Sequence, residues 1–150
     1  NLSSKNSLNH PDKDALILMP EEIAQNIPAI NEIPENPLER IIYAHIYGIT
    51  GDWFISGISE TRDIAYGFQL TNPESVWEMS EWITERKDWG EIPLKMLQDL
   101  VNEKFIKEKD IRFLIMRNLN WKKIAFSNIN ISSKTLTYPG VSDRISKSDL

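Results

Sequence analysis

Hydrophobic and polar residues alternate most regularly between Arg40 and Leu70. Residues 41–47 form a β-branched and aromatic run in which even and odd positions can face opposite sides of a strand. A glycine-bearing turn at 48–52 and a polar turn at 61–63 separate this run from two further strand-like runs. Connections this short force neighbouring strands to be antiparallel. The pattern predicts a three-stranded meander, with Gly57 as a bulge or a point of close approach.

The apolar period changes to that of an α-helix after Asn72 and Pro73. At 100° per residue, Val76, Met79 and Ile83 share one face, and Trp89-Gly90 interrupts the pattern. The opposite face of this predicted helix carries carboxylates, at Glu74, Glu78, Glu81, Glu85 and Asp88, extended by Glu91. Trp77 and Trp82 fall on the two borders. We therefore expect a long amphipathic helix with an acidic outer face.

Shorter elements flank these two regions. A short helix begins at Pro20 and is stopped by Pro28, and a proline-rich loop follows. A second helix begins at Pro93, with leucines at helical spacing from Leu94 to Leu100. Further strands are expected at residues 111–116 (fully buried), 123–127 and, more weakly, 133–138.

These elements predict a single α+β domain, in which helices cover one face of a central antiparallel β-meander. The domain is expected over residues 15–138. Residues 1–14 are rich in Asn, Ser, Lys and Asp and predict a flexible N-terminal arm, whereas residues 139–150 predict a C-terminal tail.

The cysteine content and the charge distribution limit the cellular compartments and the kinds of partner that are expected. The chain has no cysteine, which excludes disulfides and thiolate chemistry and fits a reducing cytoplasm. The apolar run 15–19 is too short for a signal peptide or a membrane span, so no membrane partner is expected. Residues 1–100 carry 7 Lys/Arg and 17 Asp/Glu, whereas residues 101–150 carry 10 and 5. This asymmetry indicates either two faces for different partners or two parts that neutralise each other.

The chain offers little recognisable chemistry. Its histidines are His10, in the expected arm, and His45, whose place in a strand favours a partly buried, hydrogen-bonded side chain. Phosphate-binding, nucleophile-elbow and metal-ligand spacings are all missing, so we expect no metal and no cofactor. An enzyme remains an alternative if a carboxylate site assembles around Glu60, Asp63 and Glu91.

Two surfaces could bind a macromolecule. The acidic residues of the predicted helix, together with its tryptophans, could occupy a basic groove on another protein; otherwise they are a solvated face and ordinary core packing. Trp77 and Trp82 suit an interface better than Trp53, which suits the core. The alternative surface is the basic C-terminal third, which could contact nucleic-acid phosphates through Lys104, Lys107, Lys109, Arg112, Lys122 and Lys123. Acidic residues interrupt that second set.

Several short segments over residues 16–114 follow one another in an order that resembles that of a known family. They are Ile17–Glu21 with the later Pro28, the strand Ile41–Tyr47, Trp53 and Glu60, Ala65–Gly67, Gly90–Leu94 and Asp110–Phe113. In this order the chain resembles a bacterial family known as domain of unknown function 2958, which is found mostly on plasmids, phages and other mobile elements. The family's second tryptophan is missing, and residues 74–87 look like an insertion. The resemblance implies a fold and a cytoplasmic mobile-element setting, and no activity.

From the sequence we therefore expect a non-enzymatic accessory protein that binds another protein, in a counter-defence or similar role for a mobile element. Nucleic-acid binding and a small carboxylate enzyme are the alternatives. The oligomeric state is left open.

Overall fold

The structure, a computed structural model, describes residues 11–129, apart from the side chain of Ser75. The strands within this range are β1 (Ile41–Ile42), β2 (Ala44–Gly48), β3 (Gly51–Ile58), β4 (Ala65–Thr71), β5 (Arg86–Ile92), β6 (Ile115–Arg117) and β7 (Ile124–Ala125). The α-helices are α1 (Glu21–Ala24) and α2 (Leu94–Leu100), and a π-helical stretch, Val101–Lys107, continues α2. Short 3₁₀ helices occupy Lys13–Leu16, Ile30–Glu32, Pro37–Glu39, Pro73–Glu81, Ile111–Phe113 and Phe126–Asn128.

Five strands form one antiparallel sheet in the order β5-β4-β3-β2-β6. Its centre is the predicted meander, β2-β3-β4, in which Ile46 lies opposite Trp53 and Phe54 lies opposite Phe68. Strands β1 and β7 form a separate two-stranded ladder. The sheet and its helices confirm a single-domain α+β fold.

Two glycines allow the meander to close. Gly51 follows the two-residue turn between β2 and β3 with φ of +149°, and a Cβ there would collide with the carbonyl oxygen of Leu70. The β3–β4 register shifts between Ile55 and Gly57, and a Cβ on Gly57 would collide with the Ile33 side chain. The bulge and the close approach expected at Gly57 are therefore both present.

One face of the sheet carries the main core. Alternate residues of β2 and β3, such as Ile46 and Trp53, point towards α2, which buries Leu94, Leu97 and Leu100 against them. Pro93 precedes the helix, and its apolar residues recur at the spacing that the sequence shows. The predicted helix at residues 94–100 is confirmed.

The other face is also covered, although not by a helix layer. Phe54 and Phe68 point to this side and pack with Ile42 and Ile129 in a second buried cluster. Trp121 packs against the same cluster, and its indole N–H donates to the carbonyl oxygen of Ile42 at 3.1 Å. The irregular segment 118–129 thus closes the face that α2 leaves open.

Side chains from late in the chain hold its early part in place. The amide of Gln98 accepts a hydrogen bond from Leu18 N–H and donates one to the carbonyl oxygen of Leu16, both at 2.8 Å. The Arg117 guanidinium donates to the carbonyl oxygens of Asp14 and Ile17. Leu18 is buried in the main core as a result.

The prediction of a long amphipathic helix from residue 72 to residue 88 is wrong. Residues 73–81 form a 3₁₀ helix in which Val76 has extended dihedrals, and residues 86–92 form β5, paired along its length with β4. The apolar residues Val76, Met79 and Trp82 are three apart, which is the 3₁₀ repeat. Lys87 and Asp88 have low strand propensity, but their pairing with β4 places them in a strand.

Two C-terminal strands are shorter than expected. The predicted strand 111–116 begins as the 3₁₀ helix Ile111–Phe113, because the Asp110 carboxylate accepts the Arg112 backbone N–H, and Ile111 is exposed. Within 123–127 only Ile124 and Ala125 pair as a strand. The strand expected at 133–138 lies outside the described residues. Among the helices that the structure does describe, none is long and apolar enough to cross a membrane.

Candidate functional site

The 3₁₀ helix Pro73–Glu81 has one buried side and one exposed side. The Asn72 side chain caps it by accepting the Glu74 N–H at 2.9 Å, and Pro73 occupies the first helical position. Val76 and Met79 are buried in the main core. Val76 has extended dihedrals and kinks the helix, and Trp77 and Glu78, which lie between the two buried residues, are exposed.

The exposed side combines one tryptophan with carboxylates. The Trp77 side chain is 72 % exposed, the largest exposed fraction among the large hydrophobic residues that the structure describes. Glu74, Glu78 and Glu81 surround it in sequence and are all exposed, and the helix contains no Lys or Arg. We call Glu74, Trp77, Glu78 and Glu81 the acidic tryptophan surface.

The charges of this surface are only partly neutralised by the rest of the chain. Glu78 Oε2 lies 3.1 Å from Arg112 Nη1, and both side chains remain about half exposed. Glu74 and Glu81 form no ion pair with any described residue. The surface therefore keeps a local negative charge beside an uncovered aromatic ring.

The structure separates the other three predicted contact residues from this surface. Trp82 ends the 3₁₀ helix, is partly buried and contacts Phe113 edge to face at 5.8 Å between ring centroids. Glu85 lies in the connection to β5 and is exposed. Asp88 lies on β5, with its carboxylate 2.7 Å from Arg86 Nε. The predicted row along one helix is therefore broken after Glu81.

Much of the basic C-terminal third is already paired with acidic side chains. Lys104 lies 3.9 Å from Glu108, and Lys107 lies 3.8 Å from Glu103. Arg112 bonds to Asp110 as well as to Glu78. The remaining candidates are exposed: Lys109 follows the π-helical stretch, and Lys122 and Lys123 are adjacent in the loop before β7. Cations that are already paired with carboxylates of this chain displace fewer counterions from a phosphate backbone. This pairing weakens the case for a nucleic-acid-binding surface.

Of the three carboxylates proposed for an enzyme site, only Glu91 lines the cleft that the described part of the chain forms between β5 and α2. Glu60 and Asp63 are exposed in the turn between β3 and β4, and Glu91 lies on β5 opposite Tyr66. A cleft of about 160 Å³ between β5 and α2 is lined by Glu91 but not by the other two. Among the described residues, no group of three or more His, Asp or Glu could hold a metal ion.

That cleft has aromatic walls at Trp53 and Trp82. Its polar lining is largely engaged within the chain, since the Gln69 amide donates to the Glu91 carbonyl at 3.1 Å and the Thr71 hydroxyl donates to the Thr84 carbonyl at 2.7 Å. These bonds tie β5 and its preceding loop to β4. The cleft is therefore better explained as a packing gap than as a ligand site.

His45 is a hydrogen-bonded strand histidine, as the sequence indicates, but it is fully buried where the sequence favours partial burial. Its Nε2 lies 2.6 Å from Asp52 Oδ1, and its Nδ1 lies 3.3 Å from Asn118 Nδ2. Neither partner is among the residues that the sequence singles out. Asp52 stands at the start of β3, only seven residues from His45 across a hairpin, so register counting along the meander could have found it.

The comparisons with known proteins give no relative to set beside this geometry. The chain matches no protein-family model, no curated protein and no solved structure. The resemblance to domain of unknown function 2958 therefore stays a prediction, and the function has to be argued from the chain itself.

Proposed function

We propose that this chain is a non-enzymatic binding protein that docks its acidic tryptophan surface onto a basic groove of another protein. The observation that carries the proposal is the 72 % exposure of Trp77 between uncovered carboxylates. A cytoplasmic accessory role for a mobile element, counter-defence included, belongs to the same proposal and rests on the family resemblance.

The cost of leaving Trp77 uncovered favours a contact role. A tryptophan side chain buries roughly 150–250 Å² when it is covered, and tryptophan is enriched among the residues that dominate binding energy. Val76 and Met79 anchor the helix on either side of it, so the ring is presented from a fixed backbone. A partner would gain the apolar area without first ordering the segment.

The surrounding charge indicates the kind of partner. Glu74 and Glu81 remain unpaired within the part of the chain that the structure describes, and Glu78 shares its charge with Arg112. Carboxylates at the rim of an interface speed association with a basic surface and repel acidic ones. Lysine or arginine residues around an apolar pocket would complement this surface.

A pull-down from bacterial lysate tests the proposal with two surface variants. Trp77→Ser removes the ring, and Glu74→Lys with Glu81→Lys reverses two charges without breaking an internal ion pair. The matched control, Glu22→Lys with Glu35→Lys, makes the same charge change at exposed positions elsewhere. We expect both surface variants to lose the same set of bound proteins and the control to keep it. Recovery of one set by all four proteins would contradict the proposal.

A further inference from the structure

Strand β5 is an edge of the five-stranded sheet, and its outer side is unpaired within residues 11–129. It spans seven residues, Arg86–Ile92, and its only strand partner there is β4. Such an edge presents backbone N–H and C=O groups that can pair with another strand. Charged side chains usually discourage that pairing, so the pattern of charges along β5 decides which strand it could accept.

The charges of β5 are complementary to those of a second copy of β5. Two copies related by a two-fold axis must pair antiparallel, with each residue facing a partner of the same parity. If Trp89 lies on the axis, Lys87 of each copy faces Glu91 of the other. Both residues are exposed, and opposite charges directly across a ladder are favourable.

The neighbouring registers lack this match. Shifting the axis to Asp88 places Asp88 against Asp88 and Glu85 against Glu91, which are like charges. Shifting it to Gly90 places Lys87 opposite Pro93, where the ladder must end because proline has no N–H. Only the Trp89-centred register pairs both charged residues of that face with opposite charges.

The other face of the strand tolerates the same register. There Asp88 would face Gly90, which has no side chain to oppose it. The two Asp88 carboxylates would be diagonal neighbours, and each is already paired with Arg86 of its own chain at 2.7 Å. Trp89 itself stacks with Tyr66 at 6.1 Å and has Arg40 above its ring at 4.5 Å, so its position is fixed before pairing.

We infer that β5 is a self-association edge, through which two copies of this chain join their sheets antiparallel about Trp89. The partner is a second copy of the chain, selected by two reciprocal Lys87–Glu91 pairs. This contact does not use the acidic tryptophan surface.

Charge reversal tests the pairing. Within one chain Lys87 and Glu91 are four residues apart on a strand, about 13 Å, so they do not pair with each other. In sedimentation velocity we expect a concentration-dependent dimer for the wild type. Lys87→Glu alone should abolish the dimer, and Lys87→Glu combined with Glu91→Lys should restore it. Circular dichroism and a thermal melt confirm that each variant is folded.

Cross-linking tests the register, because the chain has no cysteine of its own. Facing Cα atoms in an antiparallel ladder are about 4.5–5.5 Å apart, within the range that a disulfide spans. Mixed Lys87→Cys and Glu91→Cys chains should therefore give a disulfide-linked heterodimer, while neither variant alone should cross-link efficiently. A wild type that stays monomeric at the concentrations used for NMR would overturn the inference. So would equal cross-linking by the separate variants.

Discussion

His45 and Asp52 are diagonal neighbours on one face of the β2–β3 hairpin, with 2.6 Å between Nε2 and Oδ1 and no exposure of either side chain. The orientation of Asn118 indicates which ring nitrogen of His45 carries a proton. Its Oδ1 accepts the Asn120 N–H at 3.0 Å, so its Nδ2 must be the atom that faces His45 Nδ1. An amide nitrogen only donates, so this geometry assigns Nδ1 as the acceptor and the ring proton to Nε2, which points at Asp52.

This assignment separates two substitutions at position 52. Asp52→Asn keeps a carbonyl oxygen for the Nε2 proton, whereas Asp52→Ala removes the acceptor that lies 2.6 Å from Nε2. Losing one partner of a buried hydrogen bond costs about 1–3 kcal/mol. We expect Asp52→Ala to lower the free energy of unfolding in urea by at least that amount, and Asp52→Asn by clearly less.

The same assignment has a direct spectroscopic signature. Long-range ¹H–¹⁵N NMR spectra distinguish a protonated Nε2 from a protonated Nδ1, and the wild type should show the former. Equal destabilisation by the two substitutions, with an Nδ1 proton in the spectrum, would contradict the assignment.

Two tryptophans should respond in opposite ways to truncation. Trp53 is 2 % exposed, and replacing a buried aromatic side chain by alanine costs roughly 3–5 kcal/mol. Trp77 is mostly exposed, so Trp77→Ala should change the free energy of unfolding by only about 0.5 kcal/mol. Urea denaturation of both variants checks this contrast. A Trp77 variant as unstable as the Trp53 variant would show that the ring packs on this chain, and the proposed function would lose its basis.

The close approach of Gly57 to Ile33 should appear as coupling between the two positions. Gly57→Ala places a methyl group against the Ile33 side chain and should be destabilising, by about 1–3 kcal/mol as overpacking usually is. Ile33→Ala removes the colliding atoms. In a double-mutant cycle, the combined variant should therefore be more stable than the sum of the single effects predicts. Additive effects would mean that the added methyl group at position 57 collides with the backbone of the 30–32 turn and not with the Ile33 side chain.

The pKa of Asp110 is held below its ordinary value, mainly because the Arg112 side chain donates hydrogen bonds to the carboxylate. The Arg112 backbone N–H donates a further bond that lowers the pKa, whereas partial burial of the carboxylate raises it. A carboxyl whose folded pKa is lowered stabilises the fold above its unfolded pKa. That contribution is lost as the pH falls through the lowered folded pKa.

We expect Arg112→Gln to raise the pKa of Asp110 towards the ordinary range, as measured from its carboxyl ¹³C shift against pH. Lys104→Gln is the matched control, since it removes a positive charge that lowers the pKa of Asp110 without removing a hydrogen bond to its carboxylate. A similar pKa change in both variants would attribute the effect to general charge instead of to the hydrogen bonds.

The sequence predicted the parts of the fold that are encoded locally. The meander follows from alternation between residues 41 and 70, and α2 follows from Pro93 and the leucine spacing. Strand β5 was not predicted, because its charged residues show no alternation of apolar and polar positions. These residues form a strand because their backbone pairs with β4. The acidic tryptophan surface was found in part, since Glu74 to Glu81 share one element while Glu85 and Asp88 do not.

The hydrogen bonds from Gln98 and Arg117 to segment 13–18 have a consequence for the order of folding. They join residues 80 to 103 positions apart, whereas the meander joins neighbours in the chain. Contacts that are close in sequence form early, because they close short loops. We therefore expect segment 13–18, although it is synthesised before the sheet, to acquire hydrogen-exchange protection only after the sheet and α2 have assembled.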